Sequence, residues 1–161
     1  MGKTIKNKKT YSLNDYNSGD GMLTSVWGPG MWHSLHTISF NYPINPTKND
    51  KRNYRDYILN MKYILPCGKC RNNLRDNFKK LPLKMKHMEN RETFSRYVYE
   101  LHELINTMLG KKSGLSYNDV RERYEDFRAR CTISLKEVNS KRKTHKKREN
   151  GCTEPLYGEK S

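Results

Sequence analysis

The chain lacks any apolar run approaching the roughly 20 residues that a membrane helix needs. No membrane span is therefore expected. Hydrophobic residues make up only 34% of the 161 positions, so the core must be economical. Six prolines and ten glycines are too few for a many-turned all-β protein. No stretch alternates with period two, which denies a thioredoxin-like βαβ core its strands. The basic start, residues 1–10, is not followed by an apolar segment and does not read as a secretory leader. A reducing compartment, or a virus particle or factory formed beside it, is the resulting expectation. Cysteine is scarce too, with four in all. In a reducing compartment, two that stand close together are more often catalytic or metal-binding than a structural staple.

What the chain has in excess is positive charge, a net +15. Lys3, Lys6, Lys8 and Lys9 crowd the start, and Lys141, Arg142, Lys143, Lys146, Lys147 and Arg148 crowd the end. Such runs bind nucleic acid or acidic partners by counterion release, or they simply solvate a tail. No aromatic side chains interleave with the late basic run to stack on bases, so nucleic acid is not favoured. The length suits one domain with tails. Residues 1–24 read as a polar, basic arm, 25–132 as the domain, and 133–161 as a basic tail without apolar periodicity. No internal repeat is evident.

The domain reads as all-α. Helices are expected from about Gly30 to Asn41, Asp50 to Leu65, Cys67 to Lys80, Asn90 to Met108, and Ser116 to Phe127. Pro43 and Pro46 punctuate the first connection, and Pro66 and Pro82 end the second and third helices. Tyr54, Tyr57, Ile58, Met61 and Leu65 form one stripe at helical spacing. Phe94, Tyr97, Val98, Leu101, Ile105 and Met108 form another, and Tyr117, Val120, Tyr124 and Phe127 a third. Asn90 is a good N-cap, Gly110 a good stop, and Ser116 with Asp119 resembles a capping box. Short loops favour a four-helix bundle plus a short fifth helix.

Cys67-Gly68-Lys69-Cys70 carries the chemistry. A cysteine at a helix N-terminus has its pKa lowered by unpaired N–H groups, and Lys69 and Arg71 add positive charge. The pair can cycle between dithiol and disulfide, with an exposed, activated sulfur at the start of its helix meeting an incoming thiol. It can instead be half of a zinc site. Cys131 and Cys152 are single and far apart and make no second knuckle, and no His-x3–5-His follows at finger spacing. An incidental pair is the third reading. A redox pair needs an electron acceptor. Trp32 and His36 are four apart on one helix face, as are His102 and Asn106 on another. Each pair alone reads as ordinary core, but together they offer a plausible flavin pocket. His33, His87 and His145 read as ordinary polar residues.

Four ordered motifs together carry a resemblance. They are Trp27-Gly28; Trp32-His33-Ser34-Leu35-His36; Leu65-Pro66-Cys67-Gly68-Lys69-Cys70; and His102-Glu103-Leu104-Ile105-Asn106-Thr107-Met108-Leu109-Gly110-Lys111. In order and spacing, over about residues 26–131, this resembles the Erv/ALR family of FAD-linked sulfhydryl oxidases, most of all the short forms of large cytoplasmic DNA viruses. The resemblance implies FAD bound non-covalently at the mouth of the bundle. It implies oxidation of protein thiols, or of a thioredoxin-like carrier, to disulfides, with O2 reduced to H2O2, usually in a homodimer. It makes Cys70 the flavin-proximal cysteine and Cys67 the partner that exchanges with substrate. Trp32 and His36 would meet FAD from the first helix, with Gly28 just ahead of it. His102, Asn106 and Lys111 would hold it from the fourth helix and the loop after it. Tyr124 would lie against the adenine, with Tyr117 nearby. It also implies residence in the cytoplasm of an infected host cell and in the virion, without secretion.

Two departures from the pattern stand out. Glu103 occupies a position where the family usually has Asn, which puts the hydrogen bonds there in question. Cys131 sits near the second cysteine of a structural disulfide whose first cysteine would fall near Tyr117. Cys131 is therefore free, paired with Cys152, or bridged to another subunit, and Cys152 is a candidate shuttle or an unpaired tail cysteine. The alternatives to an oxidase are a basic interaction module for nucleic acid or virion components, and a zinc-stabilised helical protein.

Overall fold

In a computed structural model, residues 10–128 are described. Cys131, Cys152, both basic runs and the tail boundary at 133 lie outside them. The described part is all-helical: α1 Leu13–Asn17, α2 Thr24–Phe40, α3 Lys48–Ile64, α4 Gly68–Lys80, a 3-10 turn Met85–Met88, α5 Arg91–Met108 and α6 Tyr117–Glu125. The expected five helices are all present, with the short sixth, α1, ahead of them.

Local chemistry sets most of the boundaries. Thr47 caps α3 in a reciprocal box with Asp50, and Ser116 caps α6 with Asp119. Asn90 opens α5 by accepting from the Thr93 amide. At the far end of α5, Gly110 takes φ +68°. Its N–H bonds to Thr107 O at 3.1 Å, and that of Lys111 to Asn106 O at 2.8 Å. This is a Schellman closure, and it turns Lys111 back beside Asn106.

α2 begins six residues earlier than expected and contains Pro29. Proline removes the amide that would bond to the carbonyl of Ser25, and Ser25 lies in the first turn of the helix and is exposed. The Trp27 indole N–H donates to Met22 O at 3.0 Å and fixes the entry. The stretch read as an arm is also more ordered in its described part. Ser12 and Asp15 make a capping box on α1, and the loop after it docks on the cysteine turn, with Met22 N–H on Pro66 O at 2.7 Å and Gly68 N–H on Gly19 O at 2.8 Å.

α2 packs against α5 and α6, α3 against α4, and α5 against α4 and α6. The main core gathers Leu35, Tyr42, Ile58, Met61, Leu74, Phe94, Tyr97, Val98 and Leu101. Tyr57 departs from its expected place and is exposed. At 100° per residue it sits about 70° from the mean direction of Tyr54, Ile58, Met61 and Leu65, at the edge of the stripe. Met108 and Phe127 are likewise exposed; each lies at or beyond a helix end, where the buried face runs out.

Candidate active site

A cavity of about 890 Å³ opens between α2, α3, α4 and α5, and Tyr124 of α6 also lines it. That volume suits a large cofactor. One wall carries the cysteines. Cys67 is the N-cap of α4 and Cys70 stands in its first turn; the two form a disulfide with Cα atoms 5.1 Å apart. The Cys70 amide donates to Cys67 Sγ at 3.2 Å, so the helix N-terminus already supports negative charge on that sulfur. Thr24 Oγ1 lies 3.5 Å from Cys70 Sγ. The Arg71 guanidinium donates to Leu65 O at 2.5 Å and pins the turn from below.

Another part of the wall is built from rings. Trp32 and His102 stack with centroids 3.9 Å apart and planes 8° from parallel. His36 Nε2 and His102 Nδ1 are 3.0 Å apart, so one ring presents N–H and the other a lone pair. Both cannot be protonated without losing that bond. Burial, with His102 and His33 adding like charge, pushes the His36 imidazole down to about 4. Burial lowers His102 as well, against the pull of Glu103. Tyr124 continues the series, 5.1 Å from His36 and 5.5 Å from Phe40.

Gly28, Trp32, His36, Cys67, Cys70, His102, Asn106, Lys111 and Tyr124 all line this one cavity. Tyr117 does not. It is seven residues, about 10.5 Å of helix, before Tyr124, and is buried with Phe40 and Val120 in a second cluster. There its hydroxyl meets Ser95 Oγ at 2.8 Å and Arg96 lies 4.0 Å over its ring. Its expected place beside the cofactor is thus corrected to a structural tie between α5 and α6.

A second correction concerns Cys67, expected as an exposed sulfur. It is only 8% exposed, because the Gly19–Met22 loop lies across it. A third resolves Glu103: its Oε1 accepts from Asn106 Nδ2 at 2.9 Å, so the departing residue orients the amide that lines the cavity.

Several lining residues went unnoticed in the sequence. His33, read as ordinary, faces the cavity, its Nδ1 3.2 Å from the Tyr124 hydroxyl; its place one turn before His36 was the available signal. Thr24 left none, since the helix was expected to start after it. Asn77 is a polar residue next to Phe78 and at helical spacing from Cys70 and Leu74, seven and three positions away, and that spacing is legible.

FAD fits these residues on two structural grounds. The buried atoms His36 Nδ1 and Asn77 Oδ1 have no hydrogen-bond partner among the described residues, and both side chains line the cavity. Flat aromatic walls with Lys69 and Lys111 also match a planar ring system joined to a pyrophosphate. Among the described residues no cluster of His, Cys, Asp or Glu is arranged to hold a metal ion.

A helical bundle whose dithiol–disulfide pair opens into an aromatic cavity defines a redox protein of the flavin-linked kind. The sequence profile of the Erv1 / Alr family matches residues 29–125, and the chain belongs to that family. It is 37% identical over 104 residues to a probable FAD-linked sulfhydryl oxidase of Acanthamoeba polyphaga mimivirus, covering 65% of this chain and 72% of that one. An FAD-linked sulfhydryl oxidase of African swine fever virus is 30% identical over 99 residues, 62% of this chain and 80% of its own. Among solved structures, the yeast Erv1 core shares the fold, with a TM-score of 0.58 and 22% identity over 77% of this chain and 98% of that one. The FAD-binding domain of Erv1 from Saccharomyces cerevisiae superposes with a TM-score of 0.59 at 25% identity, covering 65% of this chain and 96% of that one.

Proposed function

We propose that this protein is an FAD-linked sulfhydryl oxidase that converts pairs of protein thiols to disulfides. The observation that carries the reading is the Cys67–Cys70 disulfide set in the wall of the cavity that also gathers Trp32, His36, His102, Asn106, Lys111 and Tyr124.

The chain's own groups divide the work. A substrate thiolate attacks Cys67 Sγ, forming a mixed disulfide and releasing Cys70 as thiolate. The second substrate thiol, deprotonated, attacks the substrate sulfur of that mixed disulfide. The substrate leaves oxidised, and Cys67 leaves as the thiolate. The amide of Cys70 and the start of α4 lower the cost of charge on Cys67, and Thr24 donates to Cys70. Trp32, His36, His102 and Tyr124 would hold FAD through ring contacts, Asn106 through its amide, and Lys111 through charge facing the pyrophosphate. When bound, FAD supplies the acceptor for the electron pair of the dithiol and its delivery to O2, so that two thiols and O2 become a disulfide and H2O2.

Homodimerisation, and residence in the cytoplasm of an infected cell and in the virion, are part of the same proposal. What supports the location is the viral origin of the relatives at 37% and 30% identity. The purified protein is expected to be yellow after gel filtration and to consume O2 with a reduced protein substrate. Cys70→Ser and Cys67→Ser should each abolish turnover. A colourless protein with stoichiometric zinc, or either serine variant turning over like wild type, defeats the reading.

A further inference from the structure

Asn77 lies on α4, seven residues and about 10.5 Å of helix beyond Cys70, on the same inward face as Leu74 and Phe78. It is 1% exposed and lines the cavity. The buried serines are accounted for within the fold: Ser39 bonds to His36 O and Ser95 to Tyr117, while His36 keeps one ring nitrogen on His102 and leaves Nδ1 open to the cavity. Asn77 is left without a nitrogen or oxygen partner on either polar atom. Its Nδ2 reaches only the thioether of Met108, at 3.7 Å, and its Oδ1 has no partner among the described residues. A buried carbonyl without a donor destabilises the fold that contains it. Leu or Met would fill this position of the stripe at no such cost. The amide therefore answers to a donor that occupies the cavity.

The chemistry narrows the donor. Asn77 shares a helix face with Cys70, and electrons can pass from Cys70 only to a ring in contact with it. Tyr124 lines the cavity from α6, which does not pack against α4. The group that faces α4 is thus the isoalloxazine rather than the adenine. Oxidised isoalloxazine carries a single ring N–H, at N3. Resting on the FAD reading above, we propose that Asn77 Oδ1 accepts the flavin N3–H, making Asn77 the residue that fixes the ring against Cys70.

The test uses FAD and its N3-methylated analogue, titrated into full-length apoprotein by flavin fluorescence. Wild type should bind 3-methyl-FAD at least tenfold more weakly than FAD, about 1.4 kcal/mol. Asn77→Leu should bind FAD about tenfold more weakly than wild type and lose the discrimination between the two flavins. Its apoprotein should melt no lower than the wild-type apoprotein, whereas FAD should raise its melting temperature less. Equal binding of the two flavins by wild type overturns the proposal without any variant being needed. So does an Asn77→Leu protein that keeps wild-type affinity and discrimination. Asn77→Asp, which keeps an acceptor oxygen in place, should retain the discrimination; its loss there also counts against the proposal. If wild type binds neither flavin, the FAD reading itself fails, and that result is distinct from equal binding.

Discussion

The Thr24 hydroxyl stands 3.5 Å from Cys70 Sγ, joining the first residue of α2 to the first turn of α4. In the disulfide this contact is weak. Once Cys70 becomes a thiolate, the same hydroxyl donates to a charged acceptor, a hydrogen bond worth roughly 1.5–3 kcal/mol. Thr24→Val keeps the shape and removes the donor. In a Cys67→Ser background, where Cys70 is the titrating sulfur of the pair, the midpoint of its alkylation rate against pH should move up by about one unit. An unchanged midpoint would assign Thr24 to packing alone.

The substrate-facing sulfur is covered rather than open. Gly21 has φ +62°, and a Cβ there would fall 2.0 Å from Pro66 O and 3.1 Å from the Cys67 Cα. A Cβ on Gly68 would meet Gly19 O at 2.6 Å. Glycine on both sides is what lets the two backbones approach. Gly21→Ala should therefore lift the loop from Cys67 and break its hydrogen bonds to Pro66 and Gly68, lowering stability by about 1–2 kcal/mol. Reduction of the Cys67–Cys70 disulfide by a small thiol should become several-fold faster. A rate equal to wild type would show that the loop does not limit access.

These two contacts also mark where the sequence stops being readable. The i, i+4 pairs Trp32/His36 and His102/Asn106 could be placed on helix faces because helical periodicity is local, and caps such as Thr47–Asp50 and Ser116–Asp119 act within one turn. The same logic placed Cys67 at a helix start. What periodicity cannot encode is which loop crosses which turn. The docking of Gly19–Met22 on Pro66–Gly68 spans more than 40 residues of sequence, and it converts an expected exposed sulfur into a buried one. Tyr117 shows the complementary failure: it shares a helix face with Tyr124, but the cavity ends before two turns of α6 have passed. Glu103, a departure by sequence pattern, acquires its role only when Asn106 is seen to lean on it.

The His36–His102 pair makes the fold sensitive to acid. The His36 imidazole is held down to about 4 by burial and by the neighbouring rings, whereas an unfolded histidine titrates near 6.5. Between those values the unfolded chain binds the proton and the folded chain does not, so stability rises with pH across the window and is lost as pH falls through it. His102, also lowered by burial, contributes with the same sign. The loss from His36 alone is on the order of 3 kcal/mol between about pH 6.5 and 4. Carboxylates bound at caps, such as Asp50 and Asp119, lose their contribution only at lower pH, since their pKa values lie below the ordinary carboxylate value. His36→Asn should therefore flatten the dependence of apoprotein melting temperature on pH between 6.5 and 4, while leaving the steeper fall below pH 4 in place. A variant whose profile parallels wild type through that window would show that protonation of the pair does not govern the acid sensitivity.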